Sequence, residues 1–163
     1  MLKYFNKIMI LLIPLTGILF WGTNGFAQEK PGMSGWEIGS PYNKLYNAKE
    51  LDSFKGTVEE IKEVEPLPGM SPCVALVVSE SKTEKVLVHL APSWFMSPRS
   101  IGLKKGDRVK VRGVWAEINA KEVFMANKIT RGENFSVKVR LTSDGTPFWT
   151  MSPEQLAKER AAQ

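Results

Sequence analysis

Lys85-Val-Leu-Val-His-Leu-Ala-Pro-Ser-Trp-Phe95, followed by Gly102-Leu-Lys-Lys-Gly-Asp-Arg-Val-Lys-Val-Arg-Gly113, reads as a strand, a connector, a turn and a second strand. Val86, Val88 and Leu90 recur every second residue and leave Leu87 and His89 on the other side. Val109 and Val111 alternate in the same way with Arg108, Lys110 and Arg112. Successive side chains of a strand point to opposite faces, so this alternation marks sheet with one buried face. Gly106-Asp107 supplies the turn into the second strand. The connector, Pro92 to Ile101, has room for one helical turn. In five-stranded barrels of the OB type, a helix or loop between the third and fourth strands plugs the barrel bottom.

Working outward, Phe54 to Val64 is a first strand with Phe54, Gly56 and Val58 on one face. Its alternation breaks at Glu59-Glu60, as a bulge would cause, and Gly56 suits a bend. Pro66, Pro68 and Pro72 keep the next segment out of any sheet interior. Cys73 to Ser79 is nearly all apolar and therefore central, and the short Ser81–Glu84 link makes it a hairpin with Lys85–Leu90. Ile118–Lys121 turns the chain into a fifth strand, Glu122 to Ile129. Phe135 to Leu141 alternates again, with Val137, Val139 and Leu141 inward and Lys138 and Arg140 outward. Asp144-Gly145 is a turn, Phe148 and Trp149 end the folded part, and Ser152-Pro-Glu-Gln155 opens a short polar helix. No internal repeat and no long amphipathic helix occurs, which excludes solenoids and α/β architectures. The expected fold is all-β: a small closed or partly open OB-like barrel of five to six strands over residues 51–149. A tether and N-terminal arm over 28–50 precedes it, with Trp36 as a docking point and a turn or short helix around Leu45, Tyr46 and Leu51. A polar C-terminal tail over 150–163 follows.

Residues 1–27 have the order of an export signal: Lys3 and Lys7, an apolar run from Ile8 to Trp21, then Gly25-Phe26-Ala27. The run would span roughly 21 Å as a helix, less than the ~30 Å hydrocarbon core. Cleavage before Gln28 and a periplasmic or otherwise exported mature chain are expected, with retention as an anchor the alternative. Removing this segment takes away two lysines and no acid, lowering the formal charge from +5 to +3. Cys73 is the only cysteine, so no intrachain disulfide forms although export would permit one. Stability must come from a packed core, for which the mature length suffices.

Chemistry-bearing patterns are sparse. Ser93, Ser97 and Ser100 lie near His89 in sequence, but no nucleophile elbow and no phosphate-cradling glycine loop is present. The acids from Glu59 to Glu65 read as a solvated strand face. No catalytic residue is assigned, and no enzyme is expected. His89 is the only histidine; with Cys73, Met70 and Met96 it would make at most a soft copper-type set, against the plainer reading of buried small and gap-filling side chains. No metal site and no cofactor is assigned. Trp94 is read first as the barrel plug, and His89 as a ligand contact with an apolar neighbour in Phe95. The cations Lys104, Lys105, Arg108, Lys110 and Arg112 cluster about the fourth strand, with Trp115 on the face opposite Val114. OB barrels bind single strands with a positive groove and stacking aromatics. An alternating basic strand is also what an unpaired sheet edge carries to block further pairing. The ligand-contact candidates are therefore His89, Trp94, Phe95, Lys110, Arg112 and Trp115. The expected role is a non-catalytic binding or adaptor module of the envelope, taking a protein or small anionic ligand. Single-stranded nucleic acid is the first alternative, weakened by export and low charge, and metal handling the second.

Four segments also resemble a known family: Gly39-Ser-Pro-Tyr-Asn-Lys-Leu-Tyr46, Val88-His-Leu-Ala-Pro-Ser-Trp-Phe95, Gly106-Asp-Arg-Val-Lys-Val-Arg-Gly113, and Arg140 with Asp144-Gly-Thr-Pro-Phe-Trp149. They are similar to small exported bacterial OB-like domains related to the magnetosome proteins MamS and MamX, some of which carry a DNA-binding label. The resemblance covers roughly residues 36–149 and implies a fold and a compartment more than a mechanism. This chain has no Cys-x-x-Cys-His motif, so nothing supports covalent haem.

Overall fold

The computed structural model describes residues 32–162. The expected signal peptide and its cleavage site lie outside the described residues. Among them are six strands: β1 (Asp52–Val64), β2 (Cys73–Ser79), β3 (Lys85–Pro92), β4 (Arg108–Ile118), β5 (Lys121–Arg131) and β6 (Phe135–Lys138). Two short helices, α1 (Pro41–Lys44) and α2 (Pro153–Ala161), flank them.

β1 belongs to both halves of the barrel. Its first part pairs with β4, from Asp52↔Gly113 to Thr57↔Arg108, and its second with β2, from Thr57↔Ser79 to Val64↔Cys73. Between them Val58 pairs with Val78 and Glu60 with Val77, leaving Glu59 as the bulged residue. The sequence pattern places the bulge at this point because an extra residue flips the inward parity. β2 and β3 form the expected hairpin and β4 and β5 another. A parallel contact, Val88↔Phe124 and His89↔Met125, then joins β3 to β5 and closes the ring. The order β3-β2-β1-β4-β5 returning to β3 is OB connectivity, with β6 added outside β5.

A second irregularity sits where β4 crosses from one part of the wall to the next. Arg112 pairs with Lys128 and Gly113 with Ala126, so Asn127 is the extra residue. A side chain at Gly113 would place Cβ 2.1 Å from the Met125 carbonyl oxygen, which is why glycine stands there.

The barrel interior is filled by Val58, Leu76, Val78, Val88, Val111 and Ile129, all fully buried. Phe54, Trp115 and Phe124 share the interior parity and pack as a ring trio with centroids 4.9–6.0 Å apart. The connector after β3 carries turns and no helix, and it enters the core with Ile101 and Leu103. Trp94 is not the plug: it is 37% exposed, and its indole N–H donates to the Gly32 carbonyl at 2.7 Å. Apolar aliphatic side chains do the filling that a large ring was expected to do.

A second layer lies on the outer side of the β3–β5 seam. The latter half of β3 is buried on both faces because residues 36–46 cover it. Trp36 is fully buried, donates from Nε1 to Ser71 and accepts at its carbonyl from Trp149 Nε1 (2.9 Å). Tyr42 and Trp149 meet the Trp36 ring edge-on at 4.9 and 5.4 Å. Ser40 caps α1, and Asn43 Nδ2 donates to the carbonyls of Trp36 and Glu37. Arg140 is 2% exposed, not on a solvated face as its alternation suggests. The hairpin through Asp144-Gly145 pairs Arg140 with Pro147, and the aromatic layer covers it. At the C-terminus Ser152 and Gln155 form a capping box at the start of α2, at the expected position.

Candidate anion-binding face

The outward side chains of β1, β4, β5 and β6 bring cations of one sign into register. Lys55 stands opposite Lys110, Arg112 opposite Lys128, and Lys128 opposite Lys138. Like charges directly across a sheet are destabilising, so the ladder is held together by its buried face. Lys138 meets Glu159 of α2 at 3.4 Å; Lys55, Arg108, Lys110, Arg112 and Lys128 make no ion pair among the described residues. β4 lies between β1 and β5, so its basic alternation does not protect an open edge, and that reading is corrected. At one end of the face a groove of about 620 Å³ is lined by Lys55, Gly56, Arg108, Lys110 and Thr130, with one acid, Glu80, among them.

The six candidates taken from the sequence do not form one site. Lys110 and Arg112 lie together on this exposed face. Trp115 lies in the interior-facing ring trio, with its N–H on Asp52 Oδ2 at 3.1 Å. Trp94 and Phe95 touch each other at 6.3 Å on the turn after β3, and Phe95 also packs on Trp149 at 6.2 Å. His89 is 3% exposed beneath Tyr42, whose hydroxyl lies 3.2 Å from Nδ1. A ligand outside would have to displace that layer to reach the ring. Burial lowers the His89 pKa to about 4 and raises that of the Cys73 thiol to about 12. Both are therefore held neutral near pH 7. Ser93 Oγ donates to the Pro72 carbonyl and Ser100 Oγ to the Ser97 carbonyl, so neither is directed at His89. No group of three His, Cys, Asp or Glu side chains is placed to hold a metal ion among the described residues. Lys55 and Lys128 were missed from the sequence although each alternates with a core residue, Phe54 and Ile129. Which strands align them needed the register.

The MamS/MamX magnetosome protein family model matches residues 50–136, more than half of the chain. The chain belongs to this family. In this family member the match takes in the barrel and most of the basic face, but stops short of the arm at Trp36–Tyr46 and of Arg140 and Trp149. No curated protein matches the chain. Three solved structures are similar to it at low identity. One is a replication protein A heterotrimer bound to ssDNA, 14% identical, TM-score 0.39, covering 52% of this chain and 59% of that one. The N-terminal domain of PriB from Thermoanaerobacter tencongensis, a dimer, is 15% identical with TM-score 0.39, covering 53% and 99%. The mitochondrial single-stranded DNA binding protein Rim1 from S. cerevisiae is 11% identical with TM-score 0.40, covering 55% and 98%. Strand order and ring closure by themselves define the fold as OB type. No helix among the described residues is long and apolar enough to cross a membrane.

Proposed function

We propose that this protein is a non-catalytic binding module of the cell envelope, and that the outer β1–β4–β5 face docks an acidic protein surface. The observation that carries the reading is the registered ladder of like charges, Lys55/Lys110 and Arg112/Lys128. Folding alone gains nothing from opposing cations, whereas an anionic partner turns their mutual repulsion into attraction. The export-type order of residues 1–27 supports an envelope partner. Single-stranded nucleic acid would use the same charges but also needs rings for bases to stack on. Trp115 is engaged with Phe54 and Phe124, and the ladder itself carries no aromatic side chain.

The test is binding of labelled polyglutamate and labelled oligo-dT to the mature protein and to a Lys110→Glu/Arg112→Glu variant. Polyglutamate should bind the wild type with strong salt dependence and lose at least about tenfold in affinity, ~1.4 kcal/mol, with the variant. Polyglutamate affinity unchanged by the double reversal would overturn the face. Tighter binding of oligo-dT at matched salt would overturn the partner class.

A further inference from the structure

Arg140 is a buried cation without a buried anion. Its guanidinium lies between the rings of Tyr46 and Trp149, 4.7 Å from each centroid. It donates from Nη2 to Asn43 Oδ1 at 2.7 Å and from Nη1 to the Gly145 carbonyl at 3.2 Å, both neutral acceptors. No carboxylate lies within ion-pair distance of it among the described residues. The one acid nearby in the chain, Asp144, spends its carboxylate on the Thr146 amide at 2.9 Å. Charged side chains this deeply buried are ordinarily paired, because the lost hydration of the ion is not restored by neutral neighbours alone.

The surroundings are unfinished in the same place. A hollow of about 130 Å³ is lined by Arg140, Tyr46, Asn43, Thr146 and Ile38, and also by Asp144, whose carboxylate is held by the Thr146 amide. The buried Tyr46 hydroxyl faces the Asn127 side chain, and beyond each other neither group has a hydrogen-bond partner. Buried polar groups with unmet hydrogen-bonding capacity cost free energy, and Tyr46 lines the hollow, so a polar guest there would accept from its hydroxyl while Asn127 donates to it. Ile38, 69% exposed, gives the hollow an apolar side beside the cation, with the exposed Asp144 also on its lining. Gly145 holds φ at +78°, and a Cβ there would come within 2.4 Å of the Tyr46 ring, so this turn keeps ring and guanidinium stacked. Burial draws the Arg140 pKa downward, yet arginine keeps its charge in such settings.

We propose that this hollow binds a carboxylate, with Arg140 as the counter-ion, the Tyr46 hydroxyl as a second donor and Ile38 against the carbon chain that bears the acid. The volume suits a carboxylate with a few carbons and is far below the ~300 Å³ of an ordinary drug-sized pocket. A guanidinium is planar and carries further N–H groups beyond the two used on Asn43 and Gly145, which suits a carboxylate in preference to a spherical anion. Two sources offer that chemistry: a peptide's C-terminus and an acidic side chain. Of the ladder, Arg112 comes close enough to act on Tyr46, while Lys55 and Lys110 line a different groove, and the ligand of the hollow does not depend on that surface's role.

The experiment uses isotope-labelled mature protein and four probes: propionate, N-acetyl-dialanine, the same dipeptide as its C-terminal amide, and N-acetyl-glutamate amide. The indole N–H of Trp149 and the amide of Gly145 report binding. The carboxylates should shift both signals saturably in the millimolar range, and the uncharged dipeptide amide should not. Preference for acetyl-dialanine assigns a C-terminus and preference for the glutamate derivative a side chain. Thr146→Leu, which fills the hollow and leaves Arg140 with its two hydrogen bonds, should abolish the shifts in a folded protein. Lys55→Glu/Lys110→Glu, which reverses the ladder without touching Arg112, should keep them, so failure of the docking face and failure of this site are read separately. Absence of saturable shifts with every carboxylate, equal shifts with the dipeptide amide, or full binding by Thr146→Leu would each make Arg140 a structural staple and overturn the proposal.

Discussion

His89 shows how a single residue changes meaning with its surroundings. On the sequence it is a lone imidazole on the solvent side of a strand, beside two aromatic residues. In the fold that side faces Tyr42, which stacks with its ring planes 28° apart and offers a hydroxyl to Nδ1. Burial lowers its pKa to about 4 from the usual 6.5. The unfolded chain therefore binds a proton between those values while the folded protein does not, so stability is complete above about pH 6.5 and falls as pH drops toward 4. Denaturant melts at pH 7 and pH 5 should differ by about 2 kcal/mol from this group. His89→Gln should remove most of the difference. A slope that persists in His89→Gln would assign it to the carboxylates, not to His89.

At the scale of one element, β4 has two faces that answer to different forces. Val109 and Val111 are 4% and 0% exposed and pack inside the ring, while Lys110 faces water opposite Lys55. Val111→Asp places an unpaired charge in the core and should unfold the domain, at a cost of several kcal/mol. Lys110→Asp should stay within about 0.5 kcal/mol of the wild type or gain slightly, since it replaces repulsion across the strand pair with attraction. Thermal melts of the two variants check this, and comparable losses would mean that the strand's faces are reversed. The alternation fixing these faces was legible in the sequence, and so was the bulge at Glu59. The bulge at Asn127 was not, because β5 is apolar on both sides and its period of two carries no break.

At the scale of the molecule, the barrel is enclosed by an arm and a C-terminal turn that meet over the β3–β5 seam. Trp36 links them through Ser71 on one side and the Trp149 indole on the other. Trp36→Ala removes a fully buried ring and should cost about 3–5 kcal/mol. Trp94→Ala, at a 37% exposed position, should cost roughly 1 kcal/mol, well below a core truncation. Chemical denaturation of both variants checks the order, and a larger loss for Trp94 would return the plugging role to it.

What the amino-acid order determined is the part governed by local periodicity. Val86/Val88/Leu90, Val109/Val111 and the glycine and proline punctuation specify short strands, their inward faces and hence a small barrel of OB type. The capping box at Ser152 is local too. Only the tertiary structure decided what covers the outside of that barrel. Tyr42 over His89, Trp36 against Trp149, and Tyr46 with Trp149 around Arg140 join residues far apart in the chain, and no short-range pattern encodes such contacts. The same holds for the charge ladder: each lysine was visible alone, but their alignment is a matter of register, set by the buried faces and the two bulges and not by the cations themselves.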